Sequence, residues 1–454
     1  RSLIVVGDQQ SPALHALANA MNESLGNIDA TVRFIDPVAI HAEYQTKSLR
    51  ELTSDMQAGD VELLIILGGN PAYNAPADLG FAEALGEVSS TVHLSDYRDE
   101  TSALCDWHIP AAHPLESWSD ARAYDGTASI VQPLIQPLYD GKTAHDVMHV
   151  LLGEKDRSSY DSVRDFWSEK LQGDDFESFW REALQEGVVP NSPSNAVNVA
   201  VNDVGALLEE VGRSLRNQQT QVSGDAKSAN VEVLFRPDPT IHDGRFANNA
   251  WLQELPKPLT TLTWDNAALI SPATAKKFNL RDEQLVELKH EDRRIEIPVL
   301  ILPGHADDCL TLPLGYGHTA GGSLASAAGV NVFPLRDSNA MSFARDVSLR
   351  PLAGRYPLAR TQNHHRMEGR NLVHTVEAGE TGEHGKDSAH NGSHDGPHAG
   401  HHEELTIFES PPPANDDEYA WGMSINLNTC IGCSACVTAC QAENNIPVVG
   451  KQEV

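Results

Sequence analysis

The feature that most constrains this chain is a run of four cysteines near its C-terminal end. Cys430, Cys433, Cys436 and Cys440 are spaced C-x2-C-x2-C-x3-C, which is the spacing of bacterial ferredoxin-type iron–sulfur motifs. Three thiolates at intervals of three residues can wrap one cubane cluster, and the fourth Cys of such a run ligates a second cluster in two-cluster ferredoxins. We therefore predict that these four residues bind the iron of 4Fe-4S clusters, as cofactor and metal ligands.

Zinc is the alternative metal for closely spaced cysteines. A zinc site needs two Cys or Cys/His pairs separated by a longer loop, and the sequence has no second pair. The residue after Cys440 is Gln441 rather than the Pro of small ferredoxins. Because the run supplies too few thiolates to complete two clusters, we expect the chain to be a fragment whose remaining ligands lie beyond Val454.

Residues 1–150 alternate between strand-like and helix-like patterns. The predicted strands are Leu3–Val6, Thr31–Ile35, Val61–Leu67 and Thr91–Leu94. The predicted helices are one that begins at Ser11-Pro12 and is closed by Gly26, then Leu49–Gln57 and Asp78–Leu85. This alternation favours an α/β domain with a doubly wound parallel sheet. The continuous apolar run Val61–Leu67 is typical of a strand buried on both faces.

Two further domains are predicted downstream. Residues 151–227 form a helical insertion, and we interpret its regularly spaced aromatic residues as core: Phe166, Trp167, Phe176, Phe179 and Trp180. Residues 228–336 carry short apolar runs separated by turns rich in Pro, Gly and Asp, which predicts a small β-barrel. Its predicted strands are Val231–Phe235, Leu285–Leu288, Ile295–Ile301 and Cys309–Leu312.

Residues 337–418 have a different composition, rich in acidic residues, Gly, Ser and Pro. Six histidines in this segment offer two interpretations, a metal site or a flexible acidic linker: His384, His390, His394, His398, His401 and His402. The glycines oppose a stable helix that would align them, so we favour the linker. Residues 419–454 then begin a truncated ferredoxin-type 4Fe-4S domain.

The charge of the chain excludes one class of partner. It has 33 basic and 64 acidic residues, a formal net charge of −31 at pH 7. Nucleic-acid binding needs clustered Lys and Arg, so we expect no nucleic-acid partner. No segment approaches the roughly 20 apolar residues of a membrane-spanning helix, so we also expect no direct membrane span.

Other candidate sites are less specific. Gly68–Pro71 follows a predicted buried strand, where open α/β sheets bind ligands, and Gly315–His318 with Gly321-Gly322 is a second glycine-rich loop that we expect to be flexible. Cys105 and Cys309 lie beside acidic residues, whereas a catalytic thiolate needs an electropositive surrounding, so we interpret both as structural. No acid–base pair can be assembled, and we assign no catalytic residue.

The order of these segments resembles a known family. Residues 1–336 resemble the later domains of molybdopterin oxidoreductases of the dimethyl-sulfoxide-reductase type, on five stretches: Leu67–Pro71, Asp96–Pro110, Asn249–Pro256, Ser271–Ala275 and Gly329–Asn331. The resemblance implies a molybdopterin-oxidoreductase-like α/β domain followed by a small β-barrel, which in active relatives helps to hold pterin dinucleotides. Active members carry a Glu-Gly-Arg turn near the cofactor, and Asp125–Thr127 stands in the corresponding place.

The fusion to a cysteine module makes the resemblance more specific. The linker joins this region to Trp421–Cys430, and the whole is similar to the iron–sulfur B subunit of alternative complex III. That resemblance implies an electron-transfer and scaffold subunit of a quinol-oxidising respiratory complex, without molybdopterin guanine dinucleotide. It also implies membrane quinol-oxidising subunits and cytochrome c subunits as partners, on the periplasmic side of the cytoplasmic membrane.

Two other functions remain open at this point. One is a catalytic molybdenum or tungsten subunit, such as a polysulfide- or sulfoxide-type reductase, fused to its iron–sulfur partner. The other is a soluble binding protein in which a cluster only stabilises the fold. A long linker before an iron–sulfur module favours the electron relay over this last possibility.

Overall fold

The computed structural model describes residues 2–7, 10–39, 43–171, 175–199, 204–209, 211–213, 230–361 and 423–454. The chain divides into two compact units. One comprises Arg1–Arg360 together with Asn444–Val454, and the other is Thr361–Glu443. The histidines of the predicted linker lie outside the described residues.

The first part of the chain is an α/β layer. Its strands are β1 (Leu63–Leu67), β2 (Ser90–Ser95) and β3 (Trp107–Pro110). Its helices are α1 (Pro12–Ser24), α2 (Gln45–Ala58), α3 (Pro71–Asn74), α4 (Phe81–Leu85) and α5 (Glu100–Leu104), with a 3-10 turn at Ala77–Leu79. The strands are parallel in the order β1-β2-β3. This confirms the predicted α/β class, because parallel neighbours need helical crossovers.

Two of the predicted strands in this layer are wrong. Residues 3–6 form no strand. The backbone N–H of Ile4 donates to the side-chain oxygen of Asn22 and its carbonyl accepts from the side-chain nitrogen, each at 2.9 Å, so Asn22 replaces a neighbouring strand. Residues 31–35 form only isolated bridges. The predicted burial of β1 on both faces is also wrong, since Leu63 and Leu67 at its ends are exposed.

A hairpin and a helical region follow, and residues 204–209 and 211–213 of that region are helical in addition to the elements named next. The elements are β4 (Ser119–Arg122), β5 (Ala128–Val131), α6 (Ala144–Leu152), α7 (Ser159–Leu171) and α8 (Phe176–Glu186), with a 3-10 turn at Pro114–Glu116. Trp167 and Trp180 are buried in a core shared with β5. The interpretation of the aromatic residues as core therefore holds for these helices, except that Phe166 is half exposed.

Six strands close into a barrel. They are β6 (Asn230–Arg236), β7 (Ala268–Ile270), β8 (Gln284–His290), β9 (Arg293–Ile301), β10 (Cys309–Pro313) and β11 (Phe343–Arg355). Around the barrel the order is β10-β6-β11-β8-β9-β7. Helices α9 (Ala250–Glu254) and α10 (Pro272–Lys277), with 3-10 turns at Ala325–Ala327 and Phe333–Leu335, connect the strands. The predicted barrel and its four predicted strands are confirmed.

The barrel extends further than predicted. Strand β11 pairs with both β6 and β8, yet it lies inside the segment that the sequence assigns to the linker. A register shift between Ala344 and Val347, where Asp346 has a φ of +56°, interrupts the alternation of apolar and polar residues. Because that alternation is the sequence signal for a strand, the bulge hides β11.

The cysteine segment contains one short helix, α11 (Ala435–Glu443). Residues 444–454 belong to the unit that contains the barrel, although the sequence places them in the ferredoxin-type domain. Within the described ranges no helix combines the length and apolar character needed to cross a bilayer.

Candidate functional site

The four predicted iron ligands lie on a loop and the helix that follows it. Cys430 and Cys433 precede α11, and Cys436 and Cys440 lie within it, one helical turn apart. All four are exposed. Gly432 and Ser434 have φ angles of +67° and +59°, so the loop turns sharply between the cysteines.

The donor set fits iron–sulfur chemistry, because four thiols in this spacing are the ligands that 4Fe-4S clusters require. The structure does not bring them into a ligand shell. In the part of the chain that the structure describes, no three His, Cys, Asp or Glu side chains are placed to hold a metal ion. Cluster binding by Cys430, Cys433, Cys436 and Cys440 therefore stays a prediction from the sequence.

A cavity of about 450 Å³ opens where the α/β layer meets the barrel. It lies at the carboxyl ends of β1 and β2, the end of a parallel sheet at which ligands bind. The structure thus brings together the two glycine-rich loops that the sequence singles out. The residues that line it include Gly68, Gly69, Asn70, Tyr73, Asp96, Asp99, Asp243, Arg245, His318 and Gly321.

The first loop opens freely onto the cavity. Gly68 and Gly69 both have a φ of +74°, and a Cβ at either would meet no atom within 4 Å. The loop is held from behind by His93, whose Nε2 donates to the carbonyl of Gly69 at 3.0 Å. Burial lowers the pKa of His93 below its ordinary value despite the nearby Asp99, so this ring is a neutral structural support.

The second loop is tightly packed, and our expectation of flexibility is wrong. A Cβ at Gly317 would lie 2.0 Å from the backbone nitrogen of Asn331, and one at Gly315 would lie 2.6 Å from that of Gly244. Both glycines have positive φ angles. Glycine is needed here because two backbone segments approach each other too closely for any side chain.

Glu100 joins the two loops. Its carboxylate accepts hydrogen bonds from the side chain of Asn70 at 2.7 Å and from the backbone nitrogens of Thr319 and Ala320 at 2.6 and 3.1 Å. His318 Nδ1 adds a contact at 3.2 Å. Burial by itself would raise the pKa of Glu100, but the bonds from His318 and Asn70 lower it to about 2. Glu100 is therefore an ionised cross-link between the α/β layer and the barrel.

Tyr73 and His318 form the wall behind Glu100. Their rings stack with centroids 3.9 Å apart, and the Tyr73 hydroxyl donates to the carbonyl of Tyr316 at 2.6 Å. Burial raises the pKa of Tyr73 far above its ordinary value. His318 Nε2 is buried with no hydrogen-bond partner among the described residues, and a Cβ at Gly244 would lie 2.5 Å from it. Gly244 therefore covers this nitrogen, which faces no open space for proton transfer.

The charge of the lining bears on which cofactor could bind. Asp96, Asp99 and Asp243 contribute three carboxylates, against one guanidinium from Arg245. Arg245 is already engaged by Asp243, with paired contacts of 2.9 and 2.8 Å. Burial would raise the pKa of Asp243, but the bonds from Arg245 lower it to about 2. This charge disfavours the diphosphate of a pterin dinucleotide, which cationic donors bind most strongly.

The turn Asp125–Thr127 lies outside this cavity. A Cβ at Gly126 would lie 2.1 Å from the hydroxyl of Ser194, so Ser194 covers the turn. Arg122 donates to the carbonyl of Gly126 at 3.2 Å. The stretch that corresponds to the Glu-Gly-Arg turn of active relatives thus packs against Ser194 and against Arg122 of its own hairpin.

The two remaining cysteines are half buried. Burial raises the pKa of Cys105 and of Cys309, and neighbouring carboxylates act in the same direction. Both are therefore protonated thiols at neutral pH, which agrees with their interpretation as structural residues.

Glu100, Tyr73 and His318 were not assigned roles from the sequence. Glu100 belongs to a stretch that carries the family resemblance, and Tyr73 follows the glycine loop, but neither position has a local pattern that indicates a contact. The partners of Glu100 lie 30 and about 220 residues away. Tyr73 lies on the first helix after β1 and Glu100 begins the first helix after β2. Only these positions, at the carboxyl ends of parallel strands, could have suggested that both residues lie near a ligand-binding cavity.

Comparison with known proteins identifies two relevant relatives. No protein-family profile matches the chain. It is 26% identical over 365 residues to the molybdopterin-binding-like subunit of a menaquinone reductase from Nitratidesulfovibrio vulgaris, a match that covers 73% of this chain and 49% of that subunit. The chain thus spans about half the length of this relative. It is also 69% identical over 26 residues to the iron–sulfur cluster-binding subunit of a menaquinone reductase from the same organism, covering 6% of this chain and 10% of that subunit.

A solved structure is also similar in part. Acetylene hydratase from Pelobacter acetylenicus superposes with a TM-score of 0.46 at 13% sequence identity, covering 67% of this chain and 46% of that one. The α/β layer and barrel, together with the similarity to a molybdopterin-binding-like subunit, agree with the molybdopterin-oxidoreductase-like fold class expected from the sequence.

Proposed function

We propose that this chain is an electron-transfer and scaffold subunit of a quinone-linked respiratory complex. In this proposal the four cysteines hold 4Fe-4S clusters that relay electrons. The molybdopterin-type fold serves as a scaffold without molybdenum or tungsten. The observation that carries the proposal is the combination, in one chain, of similarity to a molybdopterin-binding-like subunit and to an iron–sulfur subunit of a menaquinone reductase.

The acidic cavity supports the cofactor-free part of the proposal. The lining residues include three carboxylates and one guanidinium, that of Arg245, which is already paired with Asp243. Like charges in a cavity of low dielectric repel each other strongly. A diphosphate-bearing cofactor would therefore be bound poorly, which disfavours the alternative of a catalytic molybdenum or tungsten reductase.

The direction of electron flow is a separate part of the proposal. The sequence resemblance implies oxidation of quinol, whereas both named relatives are subunits of menaquinone reductases. An iron–sulfur relay supports either direction, because the direction is set by the potentials of its partners. We propose quinol oxidation, with membrane quinol-oxidising and cytochrome c subunits as partners on the periplasmic side of the cytoplasmic membrane.

The first experiment is elemental analysis for Fe, Mo and W on the full-length protein in its purified native complex. We expect several Fe per chain and neither Mo nor W. Stoichiometric Mo or W would overturn the scaffold proposal and would identify the cavity beside Gly68 and Gly69 as a live cofactor site. Reaction of the same complex with quinol and with quinone then distinguishes the two directions.

The cysteine assignment is tested by Cys433→Ala. We expect this variant to lose the iron of at least one cluster, the corresponding electron paramagnetic resonance signal and quinone-linked electron transfer. Cys105→Ala is the matched control, because it removes a thiol that is half buried and structural. Unchanged iron content and electron transfer in Cys433→Ala would show that this residue is not a ligand.

A further inference from the structure

The barrel domain contains a carboxylate that is sealed from solvent. The Asp265 side chain is fully buried. Its Oδ1 accepts from the Tyr356 hydroxyl at 3.0 Å and from the backbone nitrogen of Gly329 at 3.2 Å. Burying a carboxylate is costly unless charged or hydrogen-bonding groups surround it, so the groups that face Oδ2 are the ones that matter for the stability of this site.

The nearest cation from the barrel, Lys257, is shared between Asp265 and a second aspartate, Asp238. Lys257, itself buried, lies 3.7 Å from the carboxylate of Asp238 and donates to the backbone carbonyl of Asp265 at 3.3 Å. Burial lowers the pKa of Lys257, against the effect of the two aspartates. Lys257 thus lies between two buried aspartates, and its ion-pair contact is with Asp238 rather than with the carboxylate of Asp265.

That partner comes from the chain beyond the cysteine motif. Lys451 Nζ lies 2.7 Å from Asp265 Oδ2 and donates to the Tyr356 hydroxyl. Its ammonium also lies 4.2 Å above the centroid of the Tyr356 ring. Partial burial acts to lower the pKa of Lys451, but the hydrogen bonds to Asp265 and Tyr356 outweigh it, and the pKa is raised. Lys451 therefore places a second ammonium in this cluster, directly beside Oδ2 of Asp265.

The backbone beside Lys451 is recognised as well. The nitrogens of Val449 and Gly450 donate to the two carboxylate oxygens of Glu254, at 3.0 and 2.8 Å. The same carboxylate accepts from the Trp264 indole at 3.1 Å. The carboxylate of Glu254 thus accepts hydrogen bonds from two consecutive amides, and the carboxylate of Asp265 pairs with the ammonium of the next residue.

We propose that Glu254, Asp265 and Tyr356 form a docking site for the segment Val449–Lys451, which fastens the chain after the cysteine motif to the barrel domain. The recognised chemistry is a pair of consecutive backbone amides followed by an alkylammonium. This site goes beyond the proposed electron-transfer function and does not depend on whether the cysteines bind iron.

The docking site is tested by hydrogen exchange and mass spectrometry on the full-length protein. We expect the amides of Val449 and Gly450 to be protected, and Lys451→Met to accelerate their exchange by at least tenfold. Lys277→Met is the matched control, because Lys277 forms an ion pair of the same 2.7 Å length with Asp308 at an exposed site. This control is expected to change exchange at Val449 and Gly450 by less than twofold.

A second variant separates docking from a general loss of stability. Lys451→Met leaves Asp265 uncompensated, so adding Asp265→Asn should restore part of the lost thermal stability without restoring protection at Val449 and Gly450. Unprotected amides in the wild-type protein, or unchanged protection in Lys451→Met, would overturn the proposal. Iron content measured on the same samples keeps the outcomes distinct, since absence of iron with protected amides contradicts only the proposed relay.

Discussion

The barrel and the three-stranded sheet differ in how completely their strands are covered. In the barrel, Leu288 of β8 and Ile297 of β9 are fully buried. In the sheet, Leu63 and Leu67 at the two ends of β1 are 51% and 45% exposed. The barrel is closed, which removes unpaired edges, whereas β1 is an edge strand that pairs with β2.

The difference shows which part of the fold supports the other. Tyr73 comes from the α/β layer but is packed in the hydrophobic core of the barrel. Glu100 comes from the same layer and is held by Thr319 and Ala320 beside the barrel. The α/β layer is therefore held in place by contacts with the barrel. The cavity lies between the two because residues from both line it. Three pairs of variants sharpen the comparison.

The largest expected effect is in the barrel core. Leu288→Ala should lower the free energy of unfolding by about 2–5 kcal/mol, because it removes buried methyl groups and leaves a cavity. Leu63→Ala on the exposed end of β1 should cost less than about 1 kcal/mol. Urea denaturation followed by circular dichroism measures both. Equal losses would mean that the sheet is as tightly packed as the barrel.

The two glycine loops give the next comparison. Gly317 and Gly69 have φ angles of +70° and +74°, so Ala at either pays a similar backbone strain. Only at Gly317 would the added Cβ also meet backbone, and overpacking of that kind costs a further 1–3 kcal/mol, roughly. We expect Gly317→Ala to lower the melting temperature clearly more than Gly69→Ala. The reverse order would contradict the close packing of the second loop.

The smallest expected effect concerns pH and Glu100. Its pKa in the folded protein is about 2, below the ordinary 4.5. The stabilisation from the ionised carboxylate is therefore fully present above pH 4.5 and is lost as the pH falls toward 2. Glu100→Gln should cost about 1 kcal/mol at neutral pH, because it weakens charge-assisted hydrogen bonds.

The pH dependence of the stability of Glu100→Gln tests this prediction. The wild-type protein should lose stability between pH 4.5 and pH 2 as Glu100 becomes protonated, and Glu100→Gln should lack this part of the loss. Melting temperatures measured at a series of pH values would show the difference. Glu62 is a suitable control position, since its carboxylate is exposed and Glu62→Gln should leave the profile unchanged. Identical profiles for wild type and Glu100→Gln would show that Glu100 does not link the two loops.

Much of the fold could be predicted from local patterns. Helix α1 follows from Pro12 at its start and Gly26 after its end, and four barrel strands follow from runs of apolar residues. Predictions of elements failed in two ways: one strand was missed because its local pattern is broken, and one was predicted where a side chain satisfies the backbone instead. The bulge at Asp346 hid β11, and the side chain of Asn22 replaced a strand partner for Ile4.

In the candidate site, too, some features could be predicted from local patterns and others could not. The cysteine spacing, the glycine loops and the acidic charge can be taken from the sequence alone, because they follow from local order or from composition. The shared cavity of the two loops, their link through Glu100 and the pairing of Lys451 with Asp265 are visible only in the folded chain. The physical reason is that these contacts join residues about 30 to 220 positions apart or, for Lys451 and Asp265, from opposite sides of the cysteine motif. Ionised side chains far apart in sequence acquire a role only when folding removes them from water together.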